Sequence, residues 1–285
     1  MIRCRGLVHV YPSGTRALDG IDLAIAAGEG VAIVGQNGSG KSTLARHWNG
    51  LLRPTAGDVE IEGRTTIGRR VADLARTVGL VFQDPDRQIF AGRVRTEVAF
   101  GARNVGLRDA AVSAAVDAAL EAVGLAGSDE LNPYDLGFSR RKLLALASIL
   151  AMGTPVVVLD EPTTGQDARG AQRVRDVVDR LSAEGRTVVA ISHDMRFVAE
   201  TFRRVVVMAA GRIVLDGPPE VVFAETAWPT LDSTFLEPPL SARIGAWLGL
   251  GSTPTEESLV AALAGAAAEP RRYGWRLNQV PPGPV

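Results

Sequence analysis

The residues Gly35-Gln36-Asn37-Gly38-Ser39-Gly40-Lys41-Ser42 carry the densest chemistry in this sequence. They match G-x-x-x-x-G-K-[ST], in which glycines let successive backbone N–H groups and the start of a helix face phosphate oxygens. In that pattern Lys41 reaches the β- and γ-phosphates of a nucleotide. Ser42 ligates Mg²⁺ through its hydroxyl, and Thr43, the next residue, is counted with the nucleotide-binding set. A glycine turn with no ligand is the plainer alternative. The flanks argue against it, because the apolar run Val31-Ala32-Ile33-Val34 precedes the loop and a helical stretch from Lys41 to Asn49 follows. Strand, loop, helix is the order a phosphate-binding unit requires.

Two carboxylates form the second candidate. Val156-Val157-Val158-Leu159-Asp160-Glu161 is a buried-strand pattern that delivers both acids at its C-terminal end, the edge at which open α/β sheets bind ligands. Asp160 is placed to hold Mg²⁺ through water, and Glu161 to polarise an attacking water as general base. Acids also end strands simply because solvent begins there. Gln83 after Val78–Phe82 and His193 after Val188–Ser192 sit at two further strand ends. Alone, His193 reads more often as a satisfied polar group at a strand end than as a catalytic one; following a second strand of this kind it reads as catalytic.

These side chains need a scaffold. Short β-branched runs at 31–34, 78–82, 156–160, 188–192 and 205–208 alternate with helical stretches such as Gly170 to Ala183, which predicts an α/β fold with a mostly parallel sheet covered on both faces. Ile2 to Val10 and Ile21 to Ile25, around Pro12-Ser13-Gly14, predict an N-terminal antiparallel sheet. Between Asp84 and Met152 the pattern is helical and rich in Ala and Leu, an inserted helical subdomain. Residues 226–285 hold helical candidates at Ser241 to Leu248 and Thr255 to Ala268, then Pro281-Pro282-Gly283-Pro284, read as a disordered tail. With 31 basic against 32 acidic residues, the net charge of −1 gathers neither nucleic acid nor anionic lipid. The single cysteine, Cys4, fits a reducing compartment. Leu143 to Met152 is about half the roughly 20 apolar residues that span a bilayer.

Gln83, Pro162-Thr163-Thr164-Gly165-Gln166-Asp167 and His193 together resemble the Q-loop, D-loop and switch histidine of ABC-type ATPases, in that family's order. The resemblance covers about residues 1–225 and implies a P-loop NTPase fold with a small C-terminal extension at 226–285. It assigns Gln83 to the metal, the water and coupling, Asp167 to communication between two sites, His193 to the γ-phosphate, and Tyr11 to the adenine face; alone, Tyr11 is equally a sheet residue. The implied cofactors are ATP and Mg²⁺. The implied partners are a second ATPase subunit in a homo- or heterodimer, a transmembrane scaffold and substrate-binding membrane components, with the chain peripheral at the cytoplasmic face of the cell membrane. Phe82 to Phe90, Thr96 to Gly101 and the tail after Phe223 look like the energy-coupling-factor importers, which take up vitamins or nickel and cobalt ions. That resemblance leads Asp84 and Asp86 to be expected as receivers of scaffold arginines, with turn residues beside Pro85 as the alternative.

One motif departs from the family. Its L-S-G-G-Q signature reads here Leu136-Gly137-Phe138-Ser139-Arg140, with Phe138 at a glycine position. Ser139 and the trio Arg140, Arg141 and Lys142 are expected to supply a hydroxyl and positive charge to the nucleotide of the opposite subunit, with a merely solvated basic face as the equal alternative for the trio. A heterodimer with one strong and one weak site is expected over a homodimer with a reshaped signature. A soluble ABC switch on DNA or ribosomes would call for a coiled-coil insertion, a tandem cassette or a basic face. A P-loop kinase would leave Gln83, Asp167 and His193 without roles.

Overall fold

Alternating apolar residues place the first strands. The computed structural model describes residues 1–268; the Pro281–Pro284 segment lies outside them. Strand β1 (Ile2–Val10) turns through Pro12–Gly14 into β2 (Arg16–Ile25), which begins earlier than the sequence suggests because Leu18 is drawn into the core opposite His9. After β3 (Gly30–Val34) and helix α1 (Lys41–Trp48) come β4 (Ala56–Ile61), β5 (Arg64–Thr65) and the short α2 (Val71–Leu74), none of them foreseen. In β4 only Val59 and Ile61 alternate with acids, too short a signal to stand alone. The four strands form an antiparallel sheet in the order β2-β1-β4-β5. Cys4 is sealed inside it, with Trp48 Nε1 donating to its Sγ at 3.4 Å, and burial pushes the thiol up to about 12.

The main sheet follows. Its remaining strands are β6 (Val78–Val81), β7 (Val156–Asp160), β8 (Thr187–Ile191), β9 (Arg204–Ala209) and β10 (Arg212–Gly217), joined in the order β10-β9-β3-β8-β7-β6. All pairings are parallel except β9 with β10. Successive residues point to opposite faces. Val31, Ile33, Val156 and Val158 therefore pack towards α1 and the antiparallel sheet, whereas Ala32, Val34, Val157 and Leu159 pack towards the helices of the other face. Each Val, Ile or Leu among them contributes about 1.5–3 kcal/mol when fully buried. The sheet is held by this two-sided burial, which is why its strands read as unbroken Val and Ile runs.

Between Asp84 and Met152 the chain is helical, with α3 (Val94–Asn104), α4 (Asp109–Ala122) and α5 (Phe138–Leu150) packed on one another. Helix α6 (Ala168–Ala183) follows β7, capped by the Asp167 carboxylate, which accepts from the Gly170 amide at 2.7 Å. Helix α7 (Met195–Thr201) follows β8 and is capped by Asp194 in the same way, from the Phe197 amide at 3.0 Å. Beyond β10 lie α8 (Pro219–Val222), α9 (Trp228–Ser233), α10 (Leu240–Trp247) and α11 (Glu256–Ala268). Phe223, Leu231, Leu236 and Ala242 join the main core, and Arg196 pairs with Glu256 at 3.0 Å. No helix among the described residues is long and apolar enough to cross a membrane.

Candidate nucleotide site

Topology assembles the site. Because β3 lies between β8 and β9, with β7 and β6 beyond β8, the C-terminal ends of four parallel strands share one edge. The loop Gly35–Gly40 leaves β3 there, Gln83 leaves β6, Asp160 and Glu161 leave β7, and His193 leaves β8. Residues more than 150 positions apart by sequence number are thus brought together.

The phosphate-type loop is closed upon itself. Gly40, the residue before α1, has φ +102°, a conformation that a side chain would strain, and an added Cβ would strike the Ala17 carbonyl. Lys41 is buried and donates through Nζ to Gly35 O at 2.6 Å and Gln36 O at 2.9 Å. Burial lowers its pKa, and the nearby Glu161 and Asp160 carboxylates oppose that shift. Ser39 Oγ and Asp160 Oδ1 are buried with no hydrogen-bond partner. Orphaned buried polar atoms are uncommon. Two of them at a phosphate-type loop and the adjoining strand end are what a Mg²⁺–phosphate group would satisfy. Burial raises the Asp160 pKa, against the Ser42 hydroxyl and the positive charges of Arg46 and Lys41. Ser42, Gln83 and Asp160, the predicted metal residues, line one cavity of about 470 Å³ with Arg46, Phe82 and Arg87. Among the described residues no three His, Cys, Asp or Glu side chains converge as a metal cage. Mg²⁺ does not require one, since it usually keeps waters and binds one or two carboxylates together with phosphates.

Glu161 is the most constrained residue at this edge. Its φ of +52° is left-handed, which non-glycine residues adopt at a cost and keep where the surroundings over-determine them. Its amide donates to Ile191 O at 2.8 Å. Its carboxylate Oε2 accepts from His193 Nδ1 at 2.7 Å and from Thr164 Oγ1 at 3.2 Å. For the carboxylate to accept this bond, the ring proton must sit on Nδ1. Glu161 is buried and His193 is 63% exposed, an arrangement in which an interior carboxylate is steered by a ring at the mouth of the site.

Tyr11 and Thr43 meet directly, hydroxyl to hydroxyl at 3.0 Å, beside an edge-to-face His9 and His47 cluster. Ser139 is held by its own chain. Its Oγ donates to Gln166 Oε1 at 2.6 Å, and Gln166 Nε2 returns a bond to Ser139 O at 3.1 Å. The Phe138 ring lies against Gly165 of the same chain. Within the basic trio, the exposed Arg140 donates to Ser128 Oγ at 2.9 Å and Arg141 pairs with Asp86 at 3.0 Å, whereas Lys142 is buried and does not belong to a solvated basic face. Asp84 caps the turn at the Asp86 amide, 3.1 Å away. Both acids thus have partners within the chain, and the Asp84 contact is that of a turn residue beside Pro85, the alternative to receiving scaffold arginines. Two roles escaped the sequence reading. Gln88 bridges the Phe82 amide (3.1 Å) to Ala145 O (2.9 Å), and Lys142 donates to Glu161 O and to Thr164 O. Lys142 was discoverable, because helical spacing puts it on the face of Ala145, Leu146 and Ile149.

A glycine loop between strand and helix, a strand-end carboxylate pair and a histidine gripping the second acid, on one edge of a mostly parallel sheet, define a P-loop nucleoside triphosphatase. The ABC transporter family profile matches residues 18–164, and the chain belongs to that family as one of its ATPases. The energy-coupling factor transporter ATP-binding protein EcfA of Methanothermobacter thermautotrophicus is 41% identical over 79% of this chain and 73% of its own length. EcfA of Methanocaldococcus jannaschii is 41% identical over 79% and 81%. A Caldanaerobacter subterraneus protein named as an ABC transporter ATP-binding protein is 43% identical over 86% of this chain, which spans only 43% of that protein. Among solved structures, cbiO1 of Clostridium perfringens, described as part of the ABC transporter complex cbiONQ, matches with a TM-score of 0.72 and 34% identity over 87% of this chain and 98% of its own. The dimeric bacterial ABC transporter cassette MJ0796 matches at 0.71 and 25% identity over 76% and 98%.

Proposed function

We propose that this chain is the ATP-hydrolysing subunit of an energy-coupling-factor type importer for a vitamin or a transition-metal ion. It works as half of an ATPase dimer at the cytoplasmic face of the cell membrane. The observation that carries the ATPase reading is the bond from His193 to Glu161 at 2.7 Å beside the buried Lys41 and the orphaned Asp160 Oδ1. Support for the importer comes from the two EcfA relatives and cbiO1, each similar over more than three-quarters of this chain.

The residue roles follow from that geometry. Gly35, Gln36, Asn37, Gly38, Ser39 and Gly40 offer backbone N–H groups to the phosphates, with Lys41, Ser42 and Thr43 at the start of α1. Mg²⁺ would be held by Ser42, Gln83 and Asp160 and would neutralise phosphate charge. Glu161 takes a proton from the water whose oxygen attacks the γ-phosphorus, ADP leaves with the bond electrons, and His193 keeps the carboxylate aimed. Tyr11 stacks on adenine, a contact of about 1–3 kcal/mol. Asp167 communicates between the two sites. Ser139 serves the nucleotide of the opposite subunit once Gln166 releases it.

Two surfaces fit the partners. Phe90 and Phe100 form an exposed edge-to-face pair, with ring centroids 4.7 Å apart, on the helical segment that follows Gln83, where a membrane scaffold would dock. On the C-terminal segment Phe235, Leu240 and Trp247 are exposed and offer an apolar face for pairing of ATPase subunits. The reading is tested by tagging the chain in its native membrane and purifying it in mild detergent. Integral membrane proteins are expected to copurify in fixed ratio with MgATP-dependent uptake activity, whereas a chain that purifies with ribosomes or DNA, or alone from every membrane, overturns it.

Phe138 bears on the composition of the dimer. With a phenyl ring at a glycine position and the Ser139 hydroxyl already bonded, the chain alone is expected to turn over slowly. A paralogue with an intact serine-glycine signature is expected to raise its ATPase rate at matched total concentration. Brisk turnover by the chain alone, unchanged in Phe138→Gly, would leave Leu136–Arg140 as a working signature and the homodimer as the unit.

A further inference from the structure

Lys142 is a charged residue at a position built for an apolar one. It sits one turn into α5 beside Leu143, Leu144 and Leu146, all buried, and its own exposure is 4%. A methionine there would fill comparable space without the cost of burying an ammonium. The ammonium instead donates to two main-chain carbonyls, Glu161 O and Thr164 O, the latter at 2.9 Å. Those carbonyls are the two ends of the turn Glu161-Pro162-Thr163-Thr164, whose first residue holds the left-handed conformation described above. On one side the Glu161 amide is tied to β8 through Ile191 O at 2.8 Å. On the other, its carbonyl is tied to α5 by Lys142. The same end of α5 carries the Ser139–Gln166 clasp and the Phe138 ring on Gly165, so three side chains of the helix start grip the loop 161–167 of their own chain.

We propose that Lys142 is a positioning residue. Acting through the Glu161 carbonyl, it sets the direction of the Glu161 carboxylate and makes the start of α5 and the hydrolytic side chain of the same subunit move as one body. The inference rests on the reading of Glu161 as general base. It predicts that whatever shifts the start of α5, including engagement of Ser139 by a second subunit, also re-aims Glu161.

The test is MgATP hydrolysis by the assembled complex, in steady state and single turnover, for Lys142→Met, Lys142→Arg, Glu161→Gln and the Glu161→Gln/Lys142→Met double variant. Lys142→Met is expected to lower kcat about 10- to 100-fold, the scale of a misplaced reacting group, with KM for ATP within about twofold of the parent. Lys142→Arg restores donors and is expected to recover most of that loss. The double variant should be no slower than Glu161→Gln alone, since both changes act on one step. Hydrolysis by Lys142→Met near the parental rate, or losses that multiply in the double variant, would overturn the proposal. If Lys142→Met lacks a cooperative melt, Lys142→Gln carries the same comparison, and failure of both to fold assigns Lys142 a purely structural role and overturns it. A Glu161→Gln complex that turns over normally removes the base reading and this inference together, whereas the outcomes above leave the base reading standing.

Discussion

Glu161→Gln is expected to bind MgATP as the parent does and to lose about 10² to 10⁴ in hydrolysis rate, the contribution typical of a general base. Glutamine keeps the length of the side chain, keeps an oxygen for His193 Nδ1 and Thr164 Oγ1, and pays no more than glutamate at φ +52°. It cannot take the proton of the attacking water. Binding is preserved because the phosphate loop, Ser42 and Asp160 are untouched, and this separates the base from a residue that merely shapes the pocket. Nucleotide binding by fluorescence and single-turnover hydrolysis measure the two effects independently. Turnover within a few-fold of the parent would remove Glu161 from the chemistry.

Lys41→Ala should fail at an earlier stage. The side chain supplies the positive charge of the loop from a buried position, where a charge acts through little solvent screening. Removing one such charge-stabilising donor costs about 10²–10³ in rate, and here affinity should fall with it. The free protein should melt close to the parent, because relief of a desolvated ammonium offsets the loss of its bonds to Gly35 O and Gln36 O and of its attraction to Glu161 and Asp160. The diagnostic is the response to ligand. A hundredfold excess of MgATP over Kd stabilises a binding-competent protein by about 2.7 kcal/mol, and that rise in melting temperature should be absent from the variant. A preserved rise with turnover close to the parent would contradict the assignment.

The parallel sheet was legible because strands buried on both faces must be apolar throughout, and Val31–Val34, Val156–Leu159 and Val188–Ile191 show no other pattern. Strand β4 and the early start of β2 were not, because Asp58, Glu60 and Asp19 sit on solvent faces and interrupt runs too short to show a period. Asp86 shows the same limit for charge: the sequence marks it as an available carboxylate and only the fold brings Arg141 to it, whereas the Asp84 cap on the Asp86 amide is local and is the turn the sequence offers beside Pro85.

By itself the sequence determined which residues are candidates for the chemistry: a glycine loop ending in Lys41 and Ser42, a strand ending in Asp160 and Glu161, and a strand-end His193. Those signals are local, written in residues that are neighbours along the chain, where backbone conformation and side-chain type decide what is possible. Tertiary structure alone decided which of these groups touch and which way they point. His193 lies 32 residues from Glu161 yet grips its carboxylate. Lys142 turned out to be an interior brace rather than part of a basic face. Phe138 was laid on its own loop. Such contacts depend on strand order and helix packing, which arise from burial summed over the whole core and leave no mark in the spacing of the residues that finally meet.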